Sequence, residues 1–200
     1  MVIKHIISLR DSGLASLAYF YFDFRDKDKK QDFRNFITSL LVQLSAYSNK
    51  CSKIIFDIYS THGKGTQQPS DDVLKICLQE MLEDTANEPT YIIVDALDEC
   101  PNISGIPTPR EIVLRLVKDL VDLRFQNLHI CVTSRPEIDI KIFLQPLAKI
   151  DVSLHDEIGQ QKDISDYVHN FVSSDRMMRR WRSDQKELVI EELSEKADGM

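Results

Sequence analysis

Three carboxylates crowd the end of one short apolar run, where Tyr91-Ile92-Ile93-Val94 leads into Asp95-Ala96-Leu97-Asp98-Glu99-Cys100-Pro101. The β-branched run reads as a buried strand, and a strand that delivers acids at its C-terminal end suits metal-assisted chemistry. Asp95 would hold Mg²⁺ through the ion's water shell, while a later acid, Asp98 or Glu99, would polarise an attacking water. A plainer alternative stands beside this one. Buried strands often run into acidic turns closed by proline, where the acids only cap or solvate the loop.

A second segment has the same plan. Leu128-His129-Ile130-Cys131-Val132 is apolar enough for a strand, and it ends in Thr133-Ser134-Arg135-Pro136, where proline cannot continue a ladder. Arg135 would then lie at the C-terminal edge of the sheet, where open parallel sheets place their ligands, and its guanidinium could neutralise a γ-phosphate. Taken alone, it is equally a solvated arginine at a strand exit.

Together these segments resemble the NACHT family of signal-transducing P-loop nucleoside triphosphatases, in its nephrocystin-like subgroup. The resemblance rests on Asp95-Ala96-Leu97-Asp98-Glu99-Cys100 as a Walker B motif and on Thr133-Ser134-Arg135-Pro136 as a sensor motif. The strand end Tyr21-Phe22-Asp23-Phe24-Arg25-Asp26 adds to it. Asp163 to Val168 and Leu193 to Met200 are similar to the helical continuation of such domains. The resemblance implies a three-layer α/β/α P-loop sheet of order 5-1-4-3-2, followed by lid helices. It also implies Mg²⁺ with ATP or GTP as cofactors of the complete domain, and protein partners or self-oligomerisation.

One departure bears on function. The family's Gly-x-x-x-x-Gly-Lys-Ser/Thr loop, whose amides and lysine cradle phosphates, is absent from the 200 residues. Met1 to Ile7 resembles the helix that follows such a loop. His62-Gly63-Lys64-Gly65-Thr66 is the nearest lookalike, but it lacks the preceding strand and the first glycine, and it reads as a polar loop. The expectation is therefore a partial domain over 1–155 with the start of a helical lid over 156–200, in which the central strand is missing and the Leu128 strand exposes an edge. Such a chain would bind nucleotide negligibly by itself. Other readings are a non-catalytic interaction module on the same fold, or an unrelated metal-dependent hydrolase using Asp95, Asp98 and Glu99.

Composition fits one α/β domain, with 42% hydrophobic and 28% charged residues. A net charge of −7 argues against a general nucleic-acid binder. No run approaches the ~20 apolar residues of a membrane span, which points to a cytoplasmic protein. Cys51, Cys77, Cys100 and Cys131 are too scattered for zinc or a disulfide framework, and Cys77 and Cys131 read as buried on apolar faces. The basic stretch from Arg176 to Arg182 reads as a solvated helix end or inter-helix loop with Trp181 packed inward.

Patterning places the rest. Strands are predicted over Leu17 to Phe24 and over Lys149 to Leu154, and Gly13 should end the first helix in a left-handed conformation. Phe33, Phe36, Ile37, Leu40, Leu41 and Leu44 form one helical stripe that must lie on the sheet. Helices are predicted over Ser52 to Tyr59, through Val73 to Leu82, and over Glu137 to Phe143. Thr108-Pro109-Arg110-Glu111 reads as an N-cap, a first-turn proline and a capping-box glutamate. Ile164 to Phe171 and Leu188 to Leu193 mark the last two helices.

Overall fold

The computed structural model describes residues 2–25, 32–46, 48–103, 105–153 and 158–196. Met1, Asp26, Leu154 and Ala197 to Met200, which the motifs above include, lie outside them. The chain divides into two compact units, 1–148 and 149–200.

The first unit is α/β. Its strands β1 (Ser16–Tyr21), β2 (Thr90–Asp95) and β3 (Leu128–Val132) form a parallel sheet in the order β1-β2-β3. Around it lie α1 (Val2–Asp11), α2 (Phe33–Ser45), α3 (Asn49–Thr61), α4 (Asp71–Asp84), α5 (Pro109–Asp122) and α6 (Ile138–Leu144). Strand alternation separates the two faces. Ala18, Phe20, Ile92 and Val94 join Phe36, Leu40, Leu78, Met81, Val113 and Leu116 in the main core, so α2, α4 and α5 share one side of the sheet. The whole stripe foreseen on α2 is buried. On the other face Ile6 packs with Leu17 and Ile93, and Ile7, Tyr19 and Tyr91 flank them. Tyr21, His129 and Cys131 share that face and remain exposed.

Local chemistry sets the boundaries. Gly13, at φ +70°, turns the chain after α1, and Leu14 N–H reaches Leu9 O at 3.0 Å, as a left-handed helix end requires. Ser48 and Ser70 cap α3 and α4, and Thr108 with Glu111 forms the capping box of α5. The His62-to-Thr66 lookalike is a tight turn in which Gly63, Lys64 and Gly65 all have positive φ and Thr66 Oγ1 donates to Gly63 O at 2.9 Å.

Four expectations need correction. Phe22 to Phe24 leave the strand: Phe22 N–H still reaches Asp95 O at 3.0 Å, but β2 turns away at Ala96 and offers nothing further to pair with. Lys149 to Ser153 form no strand, for want of a neighbouring ladder. Cys131 is exposed rather than buried, because among the described residues the apolar cluster on that face gathers around Ile6, Leu17 and Ile93 and does not include it. Trp181 is exposed at 41%.

The second unit holds α7 (Ile158–Ser174) and α8 (Ser183–Lys196), joined by a short turn whose Met177 and Met178 amides donate to Asp175 Oδ1. Among the described residues no helix is long and apolar enough to cross a membrane.

Candidate functional site

Parallel pairing brings the C-terminal ends of all three strands to one edge of the sheet, with Tyr21 opposite Asp95 and Val94 opposite Val132. The acids of β2 therefore meet the Thr133-to-Arg135 segment leaving β3. That segment continues the pairing briefly, as Thr133 N–H donates to Val94 O at 2.9 Å and Leu97 N–H donates to Thr133 O at 3.0 Å.

Each acid is anchored to a different element. Asp95 Oδ1 accepts from the Thr133 hydroxyl, which in turn accepts the Ala96 N–H at 3.1 Å. Ala96 itself sits in the left-handed region at φ +55° and ψ +47°, unusual for a residue with a Cβ. Its turn carries Asp98 and Glu99 on a short 3₁₀ turn, Leu97–Glu99, anchored by the buried Leu97. Asp98 Oδ1 accepts Arg135 N–H at 3.0 Å, and its other oxygen lies 3.5 Å from Arg135 Nε. The Asp98 side chain is only 8% exposed and that of Arg135 is 79% exposed, so the pair is a buried acid met by a solvated guanidinium. Glu99 Oε2 accepts Phe24 N–H at 3.0 Å, tying the acid loop to the end of β1.

The structure thus brings Asp98 and Arg135 into contact and places Asp95 beside them through Thr133, while Glu99 turns toward β1. Among the described residues no three His, Cys, Asp or Glu side chains converge into a metal cage. Asp95 still offers an all-oxygen ligand of which, among the described residues, one oxygen is engaged, which suits Mg²⁺, a hard ion usually held by one or two carboxylates plus water and phosphate oxygens.

Charges spread from this edge. Burial first, then the field of Asp95, raise Tyr21 above its usual value. Cys131 is raised in the same way, its sulfur being partly shielded although the residue is open to solvent. The Cys100 thiol is fully buried and pushed up to about 12.

Residues 1–135 match the family described as nephrocystin 3, N-terminal. The chain belongs to that family. The match ends at Arg135, so the region shared with the nephrocystin 3 N-terminal family contains β1, β2, β3 and all four candidate residues. No curated protein and no solved structure matches the chain significantly.

Sequence reasoning passed over one residue of this region. Arg110, named only as part of a helix start, is 5% exposed and donates from Nε to Cys100 O at 2.9 Å and from Nη2 to Asp98 O. Its Nη1 donates to Glu137 and, at 3.1 Å, to Asp139 Oδ2. Desolvation opposes its charge, but the two carboxylates prevail and raise it above its ordinary value. An arginine on the first turn of a helix, whose positive end does not favour it, was the available signal.

Proposed function

We propose that this edge is the metal- and γ-phosphate-facing half of a nucleotide-dependent switch of the NACHT type, with Asp95 as the Mg²⁺ ligand and Asp98 or Glu99 as the acid that orients water. Arg135 would be the γ-phosphate sensor. Bound Mg²⁺ would neutralise charge gathering on phosphate oxygens. This chain's own residues do the rest: Thr133 fixes one oxygen of Asp95, and Asp98 holds Arg135 at the strand exit until a more negative phosphate competes for it. The observation that carries this reading is the Asp98–Arg135 pair, at 3.5 Å, beside Asp95 at the C-terminal ends of adjacent parallel strands. In the complete domain, nucleotide exchange and hydrolysis would gate oligomerisation in signalling.

A micromolar site needs about −8 kcal/mol, and no Gly-rich loop among the 200 residues supplies phosphate-binding amides and a lysine. These residues alone are thus proposed to bind ATP or GTP negligibly. Equilibrium dialysis of labelled ATP and GTP with Mg²⁺ tests this, comparing the chain with a version carrying a Walker A strand and loop ahead of it. Binding only by the extended form, lost in Asp95→Ala and weakened in Arg135→Ala, supports the switch. Binding by the chain as it stands, or indifference of the extended form to Asp95, overturns it.

One observation favours a second reading, a non-catalytic interaction module. Among the described residues β3 has no strand on its outer side, and its exposed face carries His129 and Cys131 with no charged blocker between Leu128 and Val132. A stoichiometric complex seen by light scattering and unaffected by Asp95→Ala would favour it.

A further inference from the structure

Two loops that the sequence separates must hold one geometry: the acid loop after β2 and the arginine loop after β3. We propose that Arg110 is a positioning residue that ties these loops into one body, setting the place of Asp98 relative to Arg135 without touching a ligand itself.

The guanidinium is almost fully buried and has an acceptor for each nitrogen. Nη2 takes the Asp98 carbonyl and Nε takes the Cys100 carbonyl, so two of the donors grip the acid loop on either side of Glu99. Nη1 takes Glu137 and Asp139, which follow Arg135 and Pro136 and open α6. The Arg110 N–H adds a bond to Pro101 O at 3.1 Å. The planar fork spans both sides at once, which the point charge of lysine cannot do. Asn102 strengthens the same junction, donating to Asp139 Oδ2 at 3.0 Å and accepting from Thr108, the N-cap of α5, at 3.0 Å. Arg110 is held by its own capped helix, so it acts as a fixed post between two irregular segments. A shift of the Arg135 segment would pull on Glu137, and through Arg110 on the carbonyl of Asp98.

This deepens the proposed function, because the coupling matters to chemistry only if Asp98 and Arg135 face a phosphate. Its test needs no nucleotide. Cys100 is wholly buried and its carbonyl is one of Arg110's acceptors, so alkylation of Cys100, read by peptide mass spectrometry, reports opening of the acid loop. Cys51 and Cys77 are buried elsewhere and report global unfolding. Arg110→Met should speed Cys100 alkylation by about tenfold or more, with Cys51 and Cys77 still protected, and Arg110→Lys should fall between. The change cannot be electrostatic, because the positive charge of Arg110 favours the thiolate and its removal would slow the reaction. Glu137→Ala lies far from Cys100 in sequence and should speed its alkylation as well, but not further in the Arg110→Met background. That non-additivity is the signature of transmission, which general loosening would not give.

If Arg110→Met unfolds the chain, exposing all the buried cysteines, Glu137→Ala alone decides: selective labelling of Cys100 supports the proposal and a wild-type rate overturns it. Additive effects of the two substitutions, or an unchanged Cys100 rate in a folded Arg110→Met chain, also overturn it. Selective labelling combined with failure of the dialysis experiment would leave the positioning role standing and remove the nucleotide reading.

Discussion

At Ala96 a side chain occupies a backbone conformation that glycine adopts without penalty, and the acid loop depends on that turn. A left-handed residue with a Cβ costs on the order of 1 kcal/mol, so Ala96→Gly is expected to raise stability by roughly 0.5–1 kcal/mol. Urea unfolding should show a higher midpoint with an unchanged slope, and a lower midpoint would mean that the turn is favoured for another reason. Tyr21 gives a prediction with a pH sign. Its proton is held more tightly in the folded chain than in the unfolded one, first through burial and then through Asp95. The resulting stabilisation is intact below the ordinary tyrosine value of 10.0 and is lost as pH rises through the higher folded value. Asp95→Asn removes only the second cause, so the Tyr21 titration should move part of the way down. The phenolate absorbance difference between each chain and its Tyr21→Phe counterpart isolates that titration, and no movement would place Asp95 too far away to act.

At the scale of elements, the two edges of the sheet are treated differently. The outer side of β1 is closed by a side chain: Gln43 of α2 accepts Tyr19 N–H at 3.1 Å and donates to Tyr19 O at 2.8 Å, imitating a neighbouring strand. Gln43→Leu keeps the helix but strands both groups in a partly buried place, which should cost about 2 kcal/mol. Denaturant unfolding measures that loss, and faster amide exchange at Tyr19 should accompany it; an unchanged midpoint would show that water replaces the clamp. Sequence made α2, the α5 capping box and the ends of β2 and β3 legible because those signals are local, resting on a period of 3.6, a cap three residues from its glutamate, or a proline that stops a ladder. Gln43 left no comparable trace, and Arg110 left only its unfavourable place in the first turn of α5. Their acceptors lie 24 residues away at Tyr19 and 27 away at Glu137, and a glutamine or arginine within a helix looks like any solvated side chain until the sheet is assembled. The misread strand at Lys149 fails for a related reason, since β propensity is realised only where a ladder is waiting. Cys131 is misread as packed because an apolar run does not say which face of its strand is covered.

At the scale of the whole molecule, the distribution of buried surface makes the two units unequal. Among the described residues every buried apolar side chain except Val172 lies within 1–148, including Phe36, Leu40, Leu78, Met81, Ile92 and Val94, while Tyr167, Phe171, Leu188 and Leu193 of the second unit are exposed. Stability follows apolar burial, at roughly 25 cal/mol per Å², so the cooperative transition should belong to the first unit. A chain ending at Ala148 is therefore expected to unfold in one step with a midpoint within a few degrees of the full chain, its denaturant slope falling less than its length does, because the slope tracks the surface exposed on unfolding. Residues 149–200 made alone should show helical circular dichroism that fades gradually on heating, since two helices with so little buried between them lack a cooperative core. Circular dichroism melts of the three chains decide the matter. A sharp transition in the short piece, or its loss from 1–148, would show that the second unit carries structural weight that its exposed side chains do not reveal.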